Sequence, residues 1–354
     1  MCGKIENMQT IYSLNIKELE DFLEQHGQKK YRAKQIYSWL YRKKVLSFDE
    51  MTDLPASFIE VLKENFCIMP LKLITKQVAK DLTAKYLFAL NDGSTIETVL
   101  MHFNFGKSVC VSSQVGCNMG CSFCASGLLK KQRDLTSGEI VGEIMYIEKE
   151  LEEVEARVGN IVIMGTGEPF DNYDNVMNFC SIVNSDLGLA IGARHITIST
   201  CGIVPRINDF AKEKYQYNLA ISLHAPNDEV RKTLMPIANS FKLKDVLEAC
   251  HYYFEKTGRR LTFEYSLVKG VNDNLEEAKA LTELIKDQHG HVNLIPVNPI
   301  KERDYVQSDK KAIEQFKNYL ERHGINATVR REMGRDIGGA CGQLRKSYLE
   351  EGEI

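Results

Sequence analysis

The chain has no apolar run long enough to cross a bilayer, and its opening MCGKIENMQT lacks the apolar core of a secretory signal. A cytoplasmic, reducing setting is the expectation, where grouped cysteines mean metal or catalysis more often than disulfides. Charge of one sign is lacking too: 45 Lys and Arg against 48 Asp and Glu leave a formal net charge of −3. Composition therefore points to no polyanionic partner, and any RNA reading must come from local charge. There is no internal repeat and no low-complexity tract. At 354 residues the chain can bury a sizeable core without staples, so its ten cysteines are not needed as a disulfide frame.

Residues 1–68 read as helical, with candidates at Ile16 to His26 (stopped by Gly27), about Tyr31 to Lys44, and about Leu54 to Phe66. Residues 69–105 change texture: LKLITKQVA, TAKYLFAL and STIETVLMHF alternate and favour strands, with Asn91-Asp92-Gly93 as a hairpin turn. From Ser108 short strands (SVCVSSQ, NIVIMG, HITIST, NLAISL, TFEYSL, VNLIP, NATVRR) take turns with amphipathic helices, the first opened by a Thr136/Glu139 capping box. Such alternation means parallel strands with crossover helices. At least six units favour an α/β fold of the full or partial (β/α) barrel type, though an open doubly wound sheet fits the same pattern.

The stretch GCNMGCSFCASG places Cys117, Cys121 and Cys124 as C-x3-C-x2-C, directly after the strand SVCVSSQ. A structural zinc site wants four N or S ligands, and a four-iron cluster usually takes four thiolates. Here the fourth is missing nearby. A four-iron cluster would keep one iron open for a substrate; the alternatives are unrelated surface thiols, or zinc completed by a distant His or Cys. Loops after strands form the chemical face of a barrel.

Other candidates are weaker on their own. Alternation puts Val109 and Val111 towards the helix layer and Cys110 into the barrel, where a strand cysteine is ordinarily a small apolar filler. Cys341 lies in the glycine-rich MGRDIGGACGQL, and the nearby Arg330, Arg331 and Arg335 would favour its thiolate. Glu97, in STIETVLMHF, reads as an ordinary strand glutamate that need not face outward. The MGTGEP turn after NIVIM carries Gly167, whose backbone can approach a ligand, and Glu168, an acid suited to an ammonium group. Ser199, Ser222, Leu223, His224 and Asn298 all fall at strand C-terminal ends. Cys201 is expected to take no part in the chemistry.

Together CVSSQVGCNMGCSFCASG, GTGEP, ITISTCGIVP, LAISLHAPNDEVRKTLMPI, VNDNLEEA, NLIPVNP and DIGGACGQL resemble the adenine-C2 RNA methyltransferases of the radical S-adenosylmethionine (SAM) superfamily, the RlmN family, from about Leu14 to Leu344. The resemblance implies a partial (β/α) barrel over 106–335, an N-terminal helical RNA-contacting domain over 1–68, a small β linker over 69–105, and a C-terminal segment, 336–354. It implies a [4Fe-4S] cluster on Cys117, Cys121 and Cys124, whose open iron is held by SAM. Gly167, Glu168, Ser199, Ser222, Leu223, His224 and Asn298 then contact SAM. Cys341 is the methyl-carrying cysteine, Cys110 the thiol that resolves the RNA–protein crosslink, and Glu97 the base. It implies two SAM molecules per turnover and an external electron donor such as flavodoxin. The implied substrates are one adenine of 23S rRNA in the peptidyl-transferase centre and the adenine 3′ to the tRNA anticodon. A monomer is expected.

For RNA contact the run Gln28 to Lys44 offers Lys29, Lys30, Arg32, Lys34, Arg42, Lys43 and Lys44 interleaved with Tyr31, Tyr37, Trp39 and Tyr41, and a second basic patch is expected at Lys130, Lys131 and Arg133. The rival readings are methylation of C8 of the same rRNA adenine, as in Cfr-type enzymes, and a non-enzymatic zinc-binding RNA module.

Overall fold

Asn15 opens the first helix by accepting the amides of Lys17 and Glu18 on its side chain, and α1 (Ile16–Gln25) ends just before Gly27, which takes a left-handed φ of 67°. The computed structural model describes residues 8–213, 216–300, 302–339 and 343, so Cys341 lies outside the described residues. The single helix expected from Tyr31 to Lys44 is instead α2 (Arg32–Tyr37) followed by a wider π-helical turn, Ser38–Arg42. Tertiary contacts override local propensity here. Lys44 turns to a φ of 49° and its ammonium pairs with Glu148 at 2.8 Å and Glu152 at 3.2 Å. After α3 (Ala56–Asn65) the chain enters the sheet.

Strands β1 (Leu71–Val78), β2 (Ala84–Leu90) and β3 (Thr95–Phe103) run antiparallel, and β3 pairs antiparallel with β4 (Gly106–Val111). From β4 the pairing is parallel through β7 (Val158–Ile163), β8 (Ile196–Thr200), β9 (Asn218–Ser222), β10 (Leu261–Leu267), β11 (Gly290–Pro296) and β12 (Ala327–Val329). A two-stranded ribbon, β5 (Gln114–Val115) with β6 (Arg133–Asp134), stands apart. The order never reverses, as it does at the switch point of a doubly wound sheet. Each strand lies beside its predecessor, as in a barrel wall. Closure is blocked because the free edge of β4 is taken by β3, so the barrel is partial and residues 69–105 extend its wall.

Crossovers are made by α4 (Ser137–Leu151), α5 (Tyr173–Asn184), α6 (Val204–Phe210), α7 (Asp228–Leu234), α8 (Leu243–Thr257), α9 (Leu275–Ile285) and α10 (Lys310–Arg322). The Thr136/Glu139 capping box opens α4 as its sequence requires. Val109, Val111, Ile161, Ile163, Ile196, Ile198, Leu219 and Ile221 are fully buried in the main core. No helix among the described residues is long and apolar enough to cross a membrane.

Candidate active site

The loop after β4 is folded round its own backbone. Cys117 donates its amide to the Leu129 carbonyl at 2.8 Å, Cys124 to Cys121 at 3.2 Å and Gly127 to Cys124 at 3.1 Å. Gly116, at a φ of 78°, has no room for a side chain, because a Cβ would run into the Lys130 carbonyl. Ser122 anchors the loop from outside, its amide to the Leu234 carbonyl at 2.9 Å and its hydroxyl 3.0 Å from Tyr305. The three thiols of Cys117, Cys121 and Cys124 line one cavity with Met119 and Phe123. Burial pushes the Cys117 thiol up to about 11 and raises the Cys121 thiol well above its ordinary value. Thiols so desolvated need bound metal to ionise. Among the described residues no three His, Cys, Asp or Glu side chains converge to grip a single ion. Three thiols spread round a cavity fit a cluster in which each thiolate has its own iron.

The same cavity is lined by Gly167, Glu168, Ser199, Ser222 and His224, all at C-terminal ends of strands. Gly167 has a φ of 112°, and a Cβ there would meet Ser113 and Gln114 at 2.7 Å. Glu168 is buried, which raises its pKa, and its carboxylate accepts the Cys201 amide at 2.7 Å and the Phe170 amide at 3.0 Å. It therefore stitches the β7 and β8 loops together as well as facing the cavity. His224 adopts a φ of 58° and accepts the Ser266 amide on Nδ1 at 2.9 Å. An amide can only donate, so Nδ1 is unprotonated and the proton sits on Nε2. Burial, helped by the Arg231 charge, lowers the pKa of His224 to about 3. Leu223 and Asn298 are buried but are not among the lining residues. Leu223 lies in the main core, its amide donating to the Glu264 carbonyl at 3.0 Å.

A second group sits on the β2–β4 wall. Val99 on β3 pairs with Cys110 on β4, and Cys110 packs with Val99, Met101, Val162 and Met333, away from the core that holds Val109 and Val111. Glu97, two residues before Val99, shares that inward face. It is buried and pairs with Lys85 at 3.2 Å. The segment 334–339 docks here: Gly334 donates its amide to Asp81 at 3.1 Å, and Lys80 its amide to Asp336 at 3.2 Å.

Comparison with known proteins decides what this arrangement is. The Radical SAM superfamily model matches residues 111–282, and the ribosomal RNA large subunit methyltransferase N-terminal domain matches residues 9–68. A Staphylococcus saprophyticus protein named "Probable dual-specificity RNA methyltransferase RlmN" is 56% identical, over 95% of this chain and 93% of its own length. A Bacillus velezensis protein of the same name is 54% identical over 97% and 94%. The chain belongs to the RlmN family. A solved radical SAM methyltransferase from Sphaerobacter thermophilus superposes with a TM-score of 0.92 at 42% identity, covering 95% of this chain and 99% of that one. As a radical SAM enzyme of the RlmN family, the chain uses a [4Fe-4S] cluster and SAM.

Glu264 and Ser266 escaped sequence reasoning. They line the cavity with Met164 of the MGTGEP turn and with Arg330, read from sequence only as a neighbour of Cys341 and here 3.9 Å from both Glu264 and the Met164 sulfur. Their chemistry is ordinary in sequence; only the strand register gathers them. Cys201 lines the cavity as well. Arg231, fully buried, donates to the carbonyls of Cys201 at 2.6 Å, Phe241 at 3.1 Å and Leu223 at 3.3 Å, tying the β8 and β9 loops.

The basic runs need correction. Within the RlmN-type N-terminal region, Tyr37 and Tyr41 are core residues and cannot stack on a base. Trp39 donates to Asp53 at 2.6 Å and carries the Lys43 ammonium over its ring. Tyr31 is exposed, and so are Lys29, Lys30, Lys34, Arg42 and Lys43. The second patch is largely neutralised. Arg133 pairs with Asp92 at 2.6 Å and Glu139 at 2.8 Å, and Lys131 with Asp134 and Asp171, each at 2.8 Å. Lys130 stays exposed.

Proposed function

We propose that this enzyme methylates C2 of adenine in RNA, in 23S rRNA and in tRNA, through a methyl group carried on Cys341. The observation that carries this reading is the joint placement of Cys110 and Glu97 on one inward face of the β3–β4 pair, beside the docked segment that precedes Cys341. A thiol and a carboxylate on the same wall have no shared role in a simple radical SAM cleavage. They do have one in releasing a covalent RNA–protein adduct.

Cys117, Cys121 and Cys124 would hold the cluster, and Gly167, Glu168, Ser199, Ser222 and His224, which line the same cavity, would surround SAM. When bound, these groups supply a methyl group and a hydrogen-abstracting radical. The remaining work falls to the chain. The Cys341 thiolate accepts the methyl group, its S–C bond forming as the donor's methyl–sulfonium bond breaks and the electron pair stays on the departing thioether. After one hydrogen atom is removed, the resulting carbon radical bonds to C2 of the adenine. The one electron the adduct radical loses would return to the iron–sulfur group held by Cys117, Cys121 and Cys124, and Glu97 takes the C2 proton. Cys110 sulfur attacks Cys341 sulfur, the S–S bond forms and the S–CH2 bond breaks, and the freed carbon takes up a proton to become the methyl group. Two external electrons and two protons then restore the thiols. The base must leave its stack to enter the site, which favours an RNA loop or distorted helix over a regular duplex.

The test is nucleoside mass spectrometry of RNA treated with the reconstituted enzyme. The reading expects 2-methyladenosine from both 23S rRNA and tRNA; 8-methyladenosine, or unmodified RNA, would overturn it.

A further inference from the structure

Lys85 is a buried lysine in a place where packing alone has no use for a charge. It stands on β2 opposite Val99 on β3, which in turn stands opposite Cys110 on β4. From there its ammonium reaches diagonally to the Glu97 carboxylate at 3.2 Å, with side chains only 8% and 6% exposed. Among the described residues it also reaches the Gly338 carbonyl, at 3.5 Å. Lysine is almost never so buried unless paired, and an apolar residue would fill the same space without the cost of desolvating an ion.

A buried carboxylate is driven towards its neutral form, and a cation a few ångströms away reverses that drive. A protonated Glu97 could not take a proton from C2. We propose that Lys85 is a positioning residue of the methylation reaction: it keeps Glu97 ionised and, through the Gly338 carbonyl, ties the segment leading to Cys341 to the wall that carries Glu97 and Cys110. This rests on the function proposed above. Among the described residues, the charged and titratable groups on the elements packed against Glu97 include Lys85 from β2, Cys110 from β4 and Lys130, which lines the same hollow from the thiol-bearing loop. Asp81 lies at the hairpin turn, Arg335 and Asp336 on the docked segment, and Glu332 just before it, paired with Arg335.

The sign follows directly. Without the cation, Glu97 holds its proton to higher pH, so adduct release, which needs the carboxylate, is lost at neutral pH and regained as pH rises. The experiment follows decay of the RNA–protein adduct against pH for wild type, Lys85→Met, Lys85→Gln and Lys85→Arg, with thermal melting and the methyl mark on Cys341 as controls for folding. Lys85→Met is expected to accumulate adduct at neutral pH, with its release profile moved up by about 1–3 pH units. Lys85→Gln, which can still donate to Gly338 but carries no charge, is expected to follow it; Lys85→Arg is expected to stay within a few-fold of wild type. In the cofactor-free protein, difference infrared spectra are expected to show a protonated carboxyl in Lys85→Met that is absent from wild type and from Lys85→Met/Glu97→Gln. A wild-type release profile in both uncharged variants, or no such band, overturns the proposal. If Cys110→Ala traps an adduct and Lys85→Met does not, only the role of Lys85 fails. If neither wild type nor Cys110→Ala ever forms an adduct, the proposed reaction fails and the role of Lys85 falls with it.

Discussion

The Ser112 hydroxyl donates to the Glu97 carbonyl at 2.7 Å and accepts the Thr166 amide at 3.1 Å. One buried hydroxyl thus joins the antiparallel extension to the turn that carries Gly167 and Glu168. The Ser112 amide donates to Glu143 of α4 at 3.1 Å, and the Thr98 hydroxyl bonds the same oxygen. Ser112→Ala leaves a buried amide and a buried carbonyl unmatched and is expected to cost about 1–3 kcal/mol in denaturant unfolding. Ser112→Thr, which keeps the hydroxyl, is expected to cost less; equal losses would assign the effect to packing.

Arg231 holds three carbonyls from the β8 and β9 loops and the Phe241 turn, so its loss strands several buried acceptors at once. Arg231→Met is expected to destabilise the fold by about 3 kcal/mol and weaken SAM binding, as read by calorimetry. Arg231→Lys is expected to rescue little, because one ammonium cannot reproduce a planar fork of donors. Full rescue by lysine would show that charge, not geometry, matters here.

His224 carries a pH signature. Its folded pKa is about 3, against an ordinary 6.5. Above that ordinary value neither the folded nor the unfolded state binds the proton, and the residue adds no pH dependence. As pH falls, the unfolded chain takes up a proton that the folded one refuses, so stability drops. Between about pH 6.5 and pH 5, wild type is expected to lose about 2 kcal/mol more than His224→Gln. Parallel stability curves for the two would contradict the neutral, Nε2-protonated assignment.

RNA affinity is expected to depend on the exposed N-terminal lysines and not on the paired cations beside the thiol loop. Lys29→Glu/Lys34→Glu/Lys43→Glu is expected to weaken RNA binding and reduce the salt slope by about 2–3. Lys131→Gln is expected to leave that slope within error of wild type. The reverse pattern, measured by filter binding across salt, would move the interface to the barrel rim.

Much of this was legible in the sequence because it depends on short-range rules. Strand alternation turned Cys110 away from Val109 and Val111, and the Thr136/Glu139 spacing opened α4 where expected. What escaped depends on partners far along the chain. Tyr37 and Tyr41 resemble a stacking platform until the core claims them. Lys131 and Arg133 resemble a basic patch until Asp171 and Asp92 arrive from other elements. α7, buried in a string of motif residues, gave no periodic signal. Arg231 and Glu143 are ordinary on their helices, and only partners on other elements give them a purpose: loop carbonyls for Arg231, the Ser112 amide and Thr98 hydroxyl for Glu143. Family resemblance named Leu223 beside His224, but alternation at the end of β9 sends one into the core and the other into the cavity.

In the proposed reaction the methyl group passes through Cys341 before it reaches RNA. Incubating the reconstituted enzyme with SAM bearing a labelled methyl group, then analysing its peptides by mass spectrometry, tests this most directly. The account predicts one labelled methyl on Cys341 that is depleted when RNA is added, and a Cys341–adenine adduct that persists in Cys110→Ala. RNA methylated at full rate by Cys341→Ala, or label that never appears on that sulfur, would contradict it.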